Sequence, residues 1–425
     1  MRIGVIGGGI SGLSGALELA RKGCHVEVFE RSDGVGGLAA AFDFDGTPAE
    51  RYYHFLCAHD TGYFDLCRQL GLDRRLHWTR PRTGFHYEGR TYGFTSPVDL
   101  LRFRPIPLWQ RVRFGLLALE ARHREEWRQL DELTARPWLI DRIGQRAYDV
   151  IWHPLLALKF GERYDAISAA WVRHRLHRVA NSRGRMGYLD GGSALLFGTL
   201  LETLRAHGAV VHTGREVKRI LTDNGRAAGL EIGDGDVYEC DRVLSAVPLP
   251  VLADCLDSEW AEYAAQLRRI DYIGVVCVVL KLARPVSRYF WLNVNDSQAP
   301  FNGIIEYTNL NAIGDDAGHI VYVPYYVATN TTLYQSDDET VFNRSWDAVK
   351  RIAAELSDAD VIASRVFRDP YAQAVCTTGF LDLQPEHRAP IEGLYLVDST
   401  HLYPADRTQS GLIRCAQACA GELVR

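Results

Sequence analysis

Residues 2–37, RIGVIGGGISGLSGALELARKGCHVEVFERSDGVGG, decide how the chain folds. Positions 2–6 are a short apolar run with the character of a buried strand. A glycine-rich loop follows, then a helical stretch from Ser11 to about Lys22 that Gly23 stops. HVEVF at 25–29 alternates into a second strand ending at Glu30. Strand, loop, helix and strand in this order make a β-α-β unit. The loop carries G-x-G-x-x-G at Gly7, Gly9 and Gly12. Gly7 permits the tight turn, Gly9 lets the backbone approach a pyrophosphate, and Gly12 allows the helix to pack closely on the strand. The N-terminus of that helix, reached through Ile10 and Ser11, offers free N–H groups and a positive dipole end to an anion. A carboxylate at Glu30 accepts hydrogen bonds from a free ribose diol and repels a 2′-phosphate. A glycine turn without a ligand is the alternative, but here strand, helix and acidic residue are all in place.

Outside this unit the chain has ordinary globular proportions: 425 residues, 47% apolar and 24% charged. A chain this long can bury a large core and still enclose a ligand. A net charge of −5 gives no global attraction to nucleic acid. The nine cysteines never form CxxC; Cys415 and Cys419 share a helical face, but no further ligand completes a metal site. They read as reduced thiols of a cytoplasmic protein. A strand starting at Arg2 leaves no room for a signal peptide, and no apolar run of about 18 residues suits a membrane span.

Further along, 60–185 reads mainly as helices and turns. Residues 107–130 place apolar residues at helical spacing opposite many arginines. That helix could lie on anionic lipid, or it could cover a second domain. A helix at 193–207 is followed by a strand-rich stretch with turn signals at Asn224-Gly225 and Gly233-Asp234-Gly235. The run from Tyr272, IGVVCVVLKLA, is a core strand; a helix near 338–356, the strand GLYLVD and a helix from about Thr408 close the chain.

The cofactor follows from a second glycine pair. Arg31-Ser32-Asp33-Gly34-Val35-Gly36-Gly37-Leu38 comes directly after Glu30. An NAD domain has no need for it, whereas FAD is longer and its pyrophosphate and ribityl need more backbone contact. Asp398 at a late strand end suits a ribityl hydroxyl or the phosphate side. The helix entered through Arg407, Thr408 and Gln409 could aim its N-terminus at the flavin pyrimidine, where negative charge develops on reduction.

These motifs, with YLDGGSALLFGTLLETL, VKRI, CDRVLSAVP and GLYLVDSTHLYPADRTQSG, resemble the FAD-dependent amine oxidase, protoporphyrinogen oxidase and phytoene desaturase superfamily. IWHPLLALKFGERYDAISAAW and YPADR look most like its protoporphyrinogen-oxidase-like bacterial branch. The resemblance spans the chain. It implies an α/β fold: a glutathione-reductase-type, Rossmann-like FAD domain at 1–58, 186–254 and 370–425, and a discontinuous α+β substrate domain at 59–185 and 255–369. It places Val217 near the adenine. It also shows departures. Flavin amine oxidases carry a lysine in the strand corresponding to IGVVCVVLKLARP, and an ungapped match puts Cys277 there rather than Lys281. The usual Gly-Asp of the last strand is Val397-Asp398. No cysteine stands where monoamine oxidases tether their flavin, so the FAD is expected to be non-covalent.

Several residues are candidates for chemistry. His54, in YYHF, stands where the resemblance to sugar mutases puts a histidine segment; beside a flavin it could move a proton, and otherwise it is a core histidine. Lys159 in LALKFG could bind an anion or act as a base, or be a surface charge. His153, before a proline, reads as structural. Arg407 could bind a substrate phosphate or carboxylate, touch the isoalloxazine, or form a helix-start salt bridge with its neighbour Asp406. Tyr322, Tyr325, Tyr326 and Tyr334, with Phe290 and Trp291, wall a pocket or fill a core.

Three functions are consistent with these residues. The first is oxidation or desaturation of a small organic substrate by hydride transfer to flavin N5, with oxygen or quinone as a diffusible acceptor. The second is a non-redox flavin isomerase acting on a sugar-type substrate. The third is a flavin-free escort of lipidated GTPases, as some relatives of this fold are; the intact loop and Glu30 argue against it.

Overall fold

A computed structural model of the chain describes residues 1–123, 126–182, 184–233, 235–312 and 318–425. The expected unit is present: strand Arg2–Ile6, helix Ile10–Arg21 and strand His25–Phe29. Ile10, Leu13, Leu17 and Ala20 recur at helical spacing and are buried against Ile3, Val5, Val26 and Val28. Each such side chain contributes about 1.5–3 kcal/mol on burial. The two strands join a five-stranded parallel sheet in the order Val210–His212, His25–Phe29, Arg2–Ile6, Arg242–Ser245, Leu394–Leu396. The last helix, Gln409–Leu423, lies beside the first. A Cβ on Gly15 would meet Ala416 at 3.7 Å, and one on Gly421 would meet Lys22 at 3.5 Å. Residue 15 thus faces 416 and residue 22 faces 421, so the two helices run in the same direction and their N-termini open on the same side.

A mixed seven-stranded sheet forms the second layer system, in the order Val361–Ala374, Tyr272–Leu282, His319–Val327, Gly303–Glu306, Trp291–Val294, Thr83–Tyr87, Arg90–Gly93. The boundary expected at 369/370 falls inside its edge strand. The central strand is buried on both faces. Val276, Val278, Leu280 and Leu282 pack under the helix Asp338–Ile352, while Val275, Cys277 and Val279 face Phe44, Phe290 and Tyr322. This two-residue period sorts the aromatic stretch as well: Tyr322 and Tyr326 look toward the nucleotide-type half, whereas Tyr325 points away and bonds Ser345 at 2.8 Å. The four tyrosines therefore do not form one wall.

The segment 60–185 holds more strand than its composition suggests. Thr83–Tyr87 and Arg90–Gly93 pair through a turn at Glu88-Gly89 with φ of 48° and 69°. The helical pattern at 107–130 resolves into Leu108–Glu120 and Trp127–Asp131, with 124 and 125 outside the described residues. Asp234 of the expected 233–235 turn also lies outside them. Leu108–Glu120 buries Gln110, Phe114 and Leu117 but leaves Leu108, Trp109, Val112, Leu116 and Leu119 exposed. Two of its arginines are occupied by backbone: Arg111 donates to Ile106 and Leu101 carbonyls, and Arg113 to those of Arg142 and Asp141. Among the described residues, no helix is long and apolar enough to cross a membrane.

Glu306 sits at the end of a sheet strand with 1% of its surface exposed. One carboxylate oxygen accepts from the Ser287 amide at 2.8 Å, and the other has no hydrogen-bond partner, His319 standing 3.7 Å away. Burial pushes its carboxyl up to about 8 despite that amide. Between about 4.5 and 8 the folded protein keeps a proton that the unfolded chain has lost, so stability must fall as pH rises through that window. Urea unfolding of Glu306→Gln at several pH values is expected to show a flatter profile there, with the variant gaining on the wild type as pH increases; parallel profiles would contradict this.

Candidate functional site

The two glycine segments meet. The Gly36 amide donates to the Gly8 carbonyl at 2.9 Å, and Gly9 and Gly36 form an isolated parallel bridge. Gly36 holds this place with φ of 118°, and a Cβ on it would strike the Ala40 backbone at 2.7 Å. Gly37 lies just across, and its Cβ would come within 3.6 Å of the Gly9 Cα. Leu38 continues in the short turn Gly37–Ala39. Gly12 closes the floor: a Cβ there would stand 1.9 Å from the Gly7 carbonyl oxygen. A Cβ on Gly9, by contrast, meets nothing within 4 Å. The backbone around Gly9 therefore borders free space, as a phosphate cradle requires.

Glu30 is 8% exposed and is held by this same backbone, accepting from the Gly8 amide at 2.7 Å and the Ser32 amide at 2.9 Å. Its main chain is tied to the strand region that holds Val217, because the Arg215 amide donates to the Glu30 carbonyl at 2.8 Å. Val217 itself is buried. Arg31 is exposed, and its charge reaches Asp369. At the other end of the chain, Thr408 caps the last helix by accepting from Gly411 at 3.0 Å, so Gln409 begins the helix that runs parallel to the first. Asp398 accepts from the Thr400 amide and the Tyr272 hydroxyl, both at 2.8 Å. Burial pushes its carboxyl up.

The candidate catalytic residues fall into two groups. His54 Nδ1 lies 3.0 Å from Glu50 Oε2. Glu50, 5% exposed, also accepts from Tyr188 at 2.6 Å and from the Ser193 hydroxyl. A narrow cleft beside this pair is lined by His54, Phe55, Tyr188, Gly192 and Gln409. The second group gathers on Tyr326. Lys159 Nζ stands 4.2 Å from the ring centre, and Arg407 donates to the hydroxyl at 3.2 Å. Tyr53 meets that hydroxyl at 3.5 Å and packs edge-on against Trp291. Lys159 is thus not a surface charge: burial, then the Arg175 and Arg407 charges, hold its ammonium well below the usual range. Asp406 accepts from the Arg407 amide at 3.1 Å but not from its guanidinium, and its carboxylate pairs instead with Arg175 at 3.0 Å and Arg178 at 3.6 Å. His153 stacks on Tyr164, ring centres 5.2 Å apart, as a structural residue would.

Glu50, Arg175 and Trp171 were not singled out from the sequence. Glu50 precedes His54 by one helical turn's spacing, yet the segment 51–55 is not a helix and only the fold aims them together. Trp171 and Arg175 stack with the guanidinium 3.1 Å from the ring centre, a pairing their i, i+4 spacing on the helix Ala169–Asn181 could have suggested. Lys281 has a purely structural place: its buried ammonium donates to the Phe44 and Asp45 carbonyls at 3.1 and 3.2 Å. Cys277 faces the opposite half, fully buried beneath Tyr322. Among the described residues there is no metal-binding cluster and all nine cysteines are free.

The chain belongs to the flavin-containing amine oxidoreductase family, whose model matches residues 10–406. It is a flavin-dependent oxidoreductase of the superfamily that also holds the desaturases. It is 23% identical to a 15-cis-phytoene desaturase of Glycine max, across 100% of this chain and 80% of that protein. Its fold matches an oxidoreductase of Methanosarcina mazei with a TM-score of 0.77 at 19% identity, covering 98% of this chain and 99% of the other. A reduced UDP-galactopyranose mutase gives the same score at 16% identity, covering 100% and 95%.

Two substitutions separate cofactor retention from packing. Gly9→Val fills the free space beside the cradle and is expected to yield a folded protein with normal circular dichroism but no visible flavin colour. Lys281→Met leaves two carbonyls without a donor and is expected to cost about 1–3 kcal/mol in denaturant unfolding, with flavin content unchanged. Loss of flavin from Lys281→Met would give this lysine the family's cofactor role after all.

Proposed function

We propose that the chain holds FAD non-covalently and oxidises or desaturates a small organic substrate, with a diffusible acceptor such as oxygen or a quinone taking the electrons afterwards. The observation that carries this reading is the joined cradle, in which Gly36 is bonded to Gly8 beside open space at Gly9, with Glu30 anchored next to it. Glu30 would take the ribose diol. The amides of Ile10, Ser11 and Gly12 and the first helix's positive end would meet the pyrophosphate. The parallel last helix would present Thr408 and Gln409 to the flavin ring, where its dipole steadies negative charge. Bound there, the flavin supplies N5 as hydride acceptor.

The chain's own side chains do the rest. Tyr53, Tyr326 and Trp291 exclude water above the ring-binding side. Lys159 and Arg407, both on Tyr326, orient the substrate. With Nδ1 donating to Glu50, His54 keeps Nε2 free to take a proton. A cytoplasmic location fits nine free thiols. Peripheral contact with lipid would use the exposed face of Leu108–Glu120, whose arginines the backbone already occupies in part.

The test is anaerobic mixing of the yellow protein with porphyrinogens, polyenes, amines and sugar nucleotides, following flavin bleaching. A bleaching compound names the reductive half-reaction. Turnover that starts only after dithionite reduction and consumes no net electrons would assign non-redox isomerisation instead. With a bleaching substrate in hand, His54→Ala is expected to slow reduction about 10²–10⁴-fold at unchanged flavin content.

A further inference from the structure

The cations around Tyr326 outnumber the acids that face them. Lys159, Arg175, Arg178 and Arg407 stand together with only Asp60 and Asp406. The next carboxylate, Asp369, faces Arg31 and Arg51 as well as Arg407. Asp406 is shared by Arg175 and Arg178, and Asp60 lies 3.5 Å from Arg178. Asp406 also lies within electrostatic reach of Lys159 and Arg407, but pairs directly with neither the ammonium nor the guanidinium. Among the described residues, neither Lys159 nor Arg407 has a carboxylate within ion-pair distance; they meet the Tyr326 ring and its hydroxyl instead. The Nε of Arg407 is buried with no hydrogen-bond partner, and so is that of Arg178. Arg175, Arg178 and Asp406 still keep 17, 14 and 30% of their side-chain surface open. Solvent therefore reaches these groups, which are not sealed in the core. Two half-buried cations with no ion pair of their own are costly, and a protein keeps them where a ligand supplies a direct partner.

We propose that Lys159, Arg407 and Arg175 together bind a doubly charged oxyanion of the substrate, a phosphate ester or diphosphate. Two cations without partners match a dianion better than a single carboxylate. The guanidinium of Arg407 offers a planar fork and Lys159 a compact point charge, a pairing suited to phosphate oxygens. The assignment of this anion to the substrate rests on the flavin-enzyme reading; the anion site itself does not.

Calorimetric titration of the flavin-loaded protein at constant ionic strength tests this, with inorganic pyrophosphate, inorganic phosphate and malonate as probes. One pyrophosphate is expected to bind per chain, at least tenfold tighter than malonate. Lys159→Met should weaken it at least tenfold, and Lys159→Arg should restore much of the affinity. Arg407→Lys provides a second variant should Lys159→Met fail to fold. No binding above a chloride control, or equal affinity in Lys159→Met, would overturn the site. Malonate binding as tightly as pyrophosphate would overturn the phosphate assignment. Anion binding without any bleaching substrate would uphold this site and count against the redox reading. Bleaching by an uncharged compound with no anion bound would do the reverse.

Discussion

The hydrogen bond from the Gly36 amide to the Gly8 carbonyl organises more than the loop it closes. It sets the second glycine segment against the first, and the chain leaves that contact through Gly37–Ala39 into the hairpin Ala41–Phe44 and Thr47–Glu50. The hairpin is then fastened from the other half, by Lys281 on the Phe44 and Asp45 carbonyls and by the Tyr322 hydroxyl on the Glu50 carbonyl at 3.0 Å. Glu50 at its end takes bonds from Tyr188 and Ser193 and stands against His54. The nucleotide cradle and the histidine are thus successive points on one fastened segment. A side chain at Gly36 would displace both, because its Cβ meets the very backbone that starts the hairpin.

Electrostatics sets the second constraint. Asp406 is drawn far below the usual carboxylate range by Arg175, Arg178, Arg407 and Lys159, despite its burial. That carboxylate anchors the start of the last helix, because its neighbour Arg407 leads directly into Thr408 and Gln409. The cluster therefore aims the helix as well as charging the cavity. Arg175 and Arg178 come from Ala169–Asn181 and Lys159 from His153–Phe160, so these helices supply most of the positive wall, with Arg407 added from the start of the last helix.

How much of this was legible follows from the range of the forces involved. The loop, Glu30 and the last helix could be read because each is a local pattern whose meaning depends on neighbours a few residues away. Asn224-Gly225 was legible for the same reason, with φ of 50° and 79°. Glu88-Gly89 makes an equivalent turn, but glutamate is not a residue that advertises positive φ, so its hairpin was read as part of a helical region. The Glu50–His54 pair, the Trp171–Arg175 stack and the sharing of Tyr326 by Lys159 and Arg407 are tertiary. With 43 arginines to choose from, composition singles out none of them. Tyr325 and Tyr326 differ only in the parity of their position, and the pleat sends one to the cavity and the other to Ser345.

The position of Cys277 carries the argument from cradle to chemistry. It lies on the central strand of the substrate-side sheet, on the face that looks toward the nucleotide half, where flavin amine oxidases are expected to carry a lysine. A thiol fully buried there, pushed far up by that burial, neither holds a water by charge nor exchanges protons at neutral pH. Lys281 cannot replace it: four residues further along the strand it lies on the same face, but its ammonium is taken up by the carbonyls of the hairpin it anchors. Whatever proton movement the proposed reaction needs must therefore come from other elements. Two are at hand: His54, held by Glu50 beside the cleft that reaches Gln409, and Lys159, held over Tyr326. One cradle can thus be kept across a family while the reacting groups are supplied from different strands and helices, which is why the glycine loop identifies the cofactor's class and leaves the reaction to the far side of the cavity.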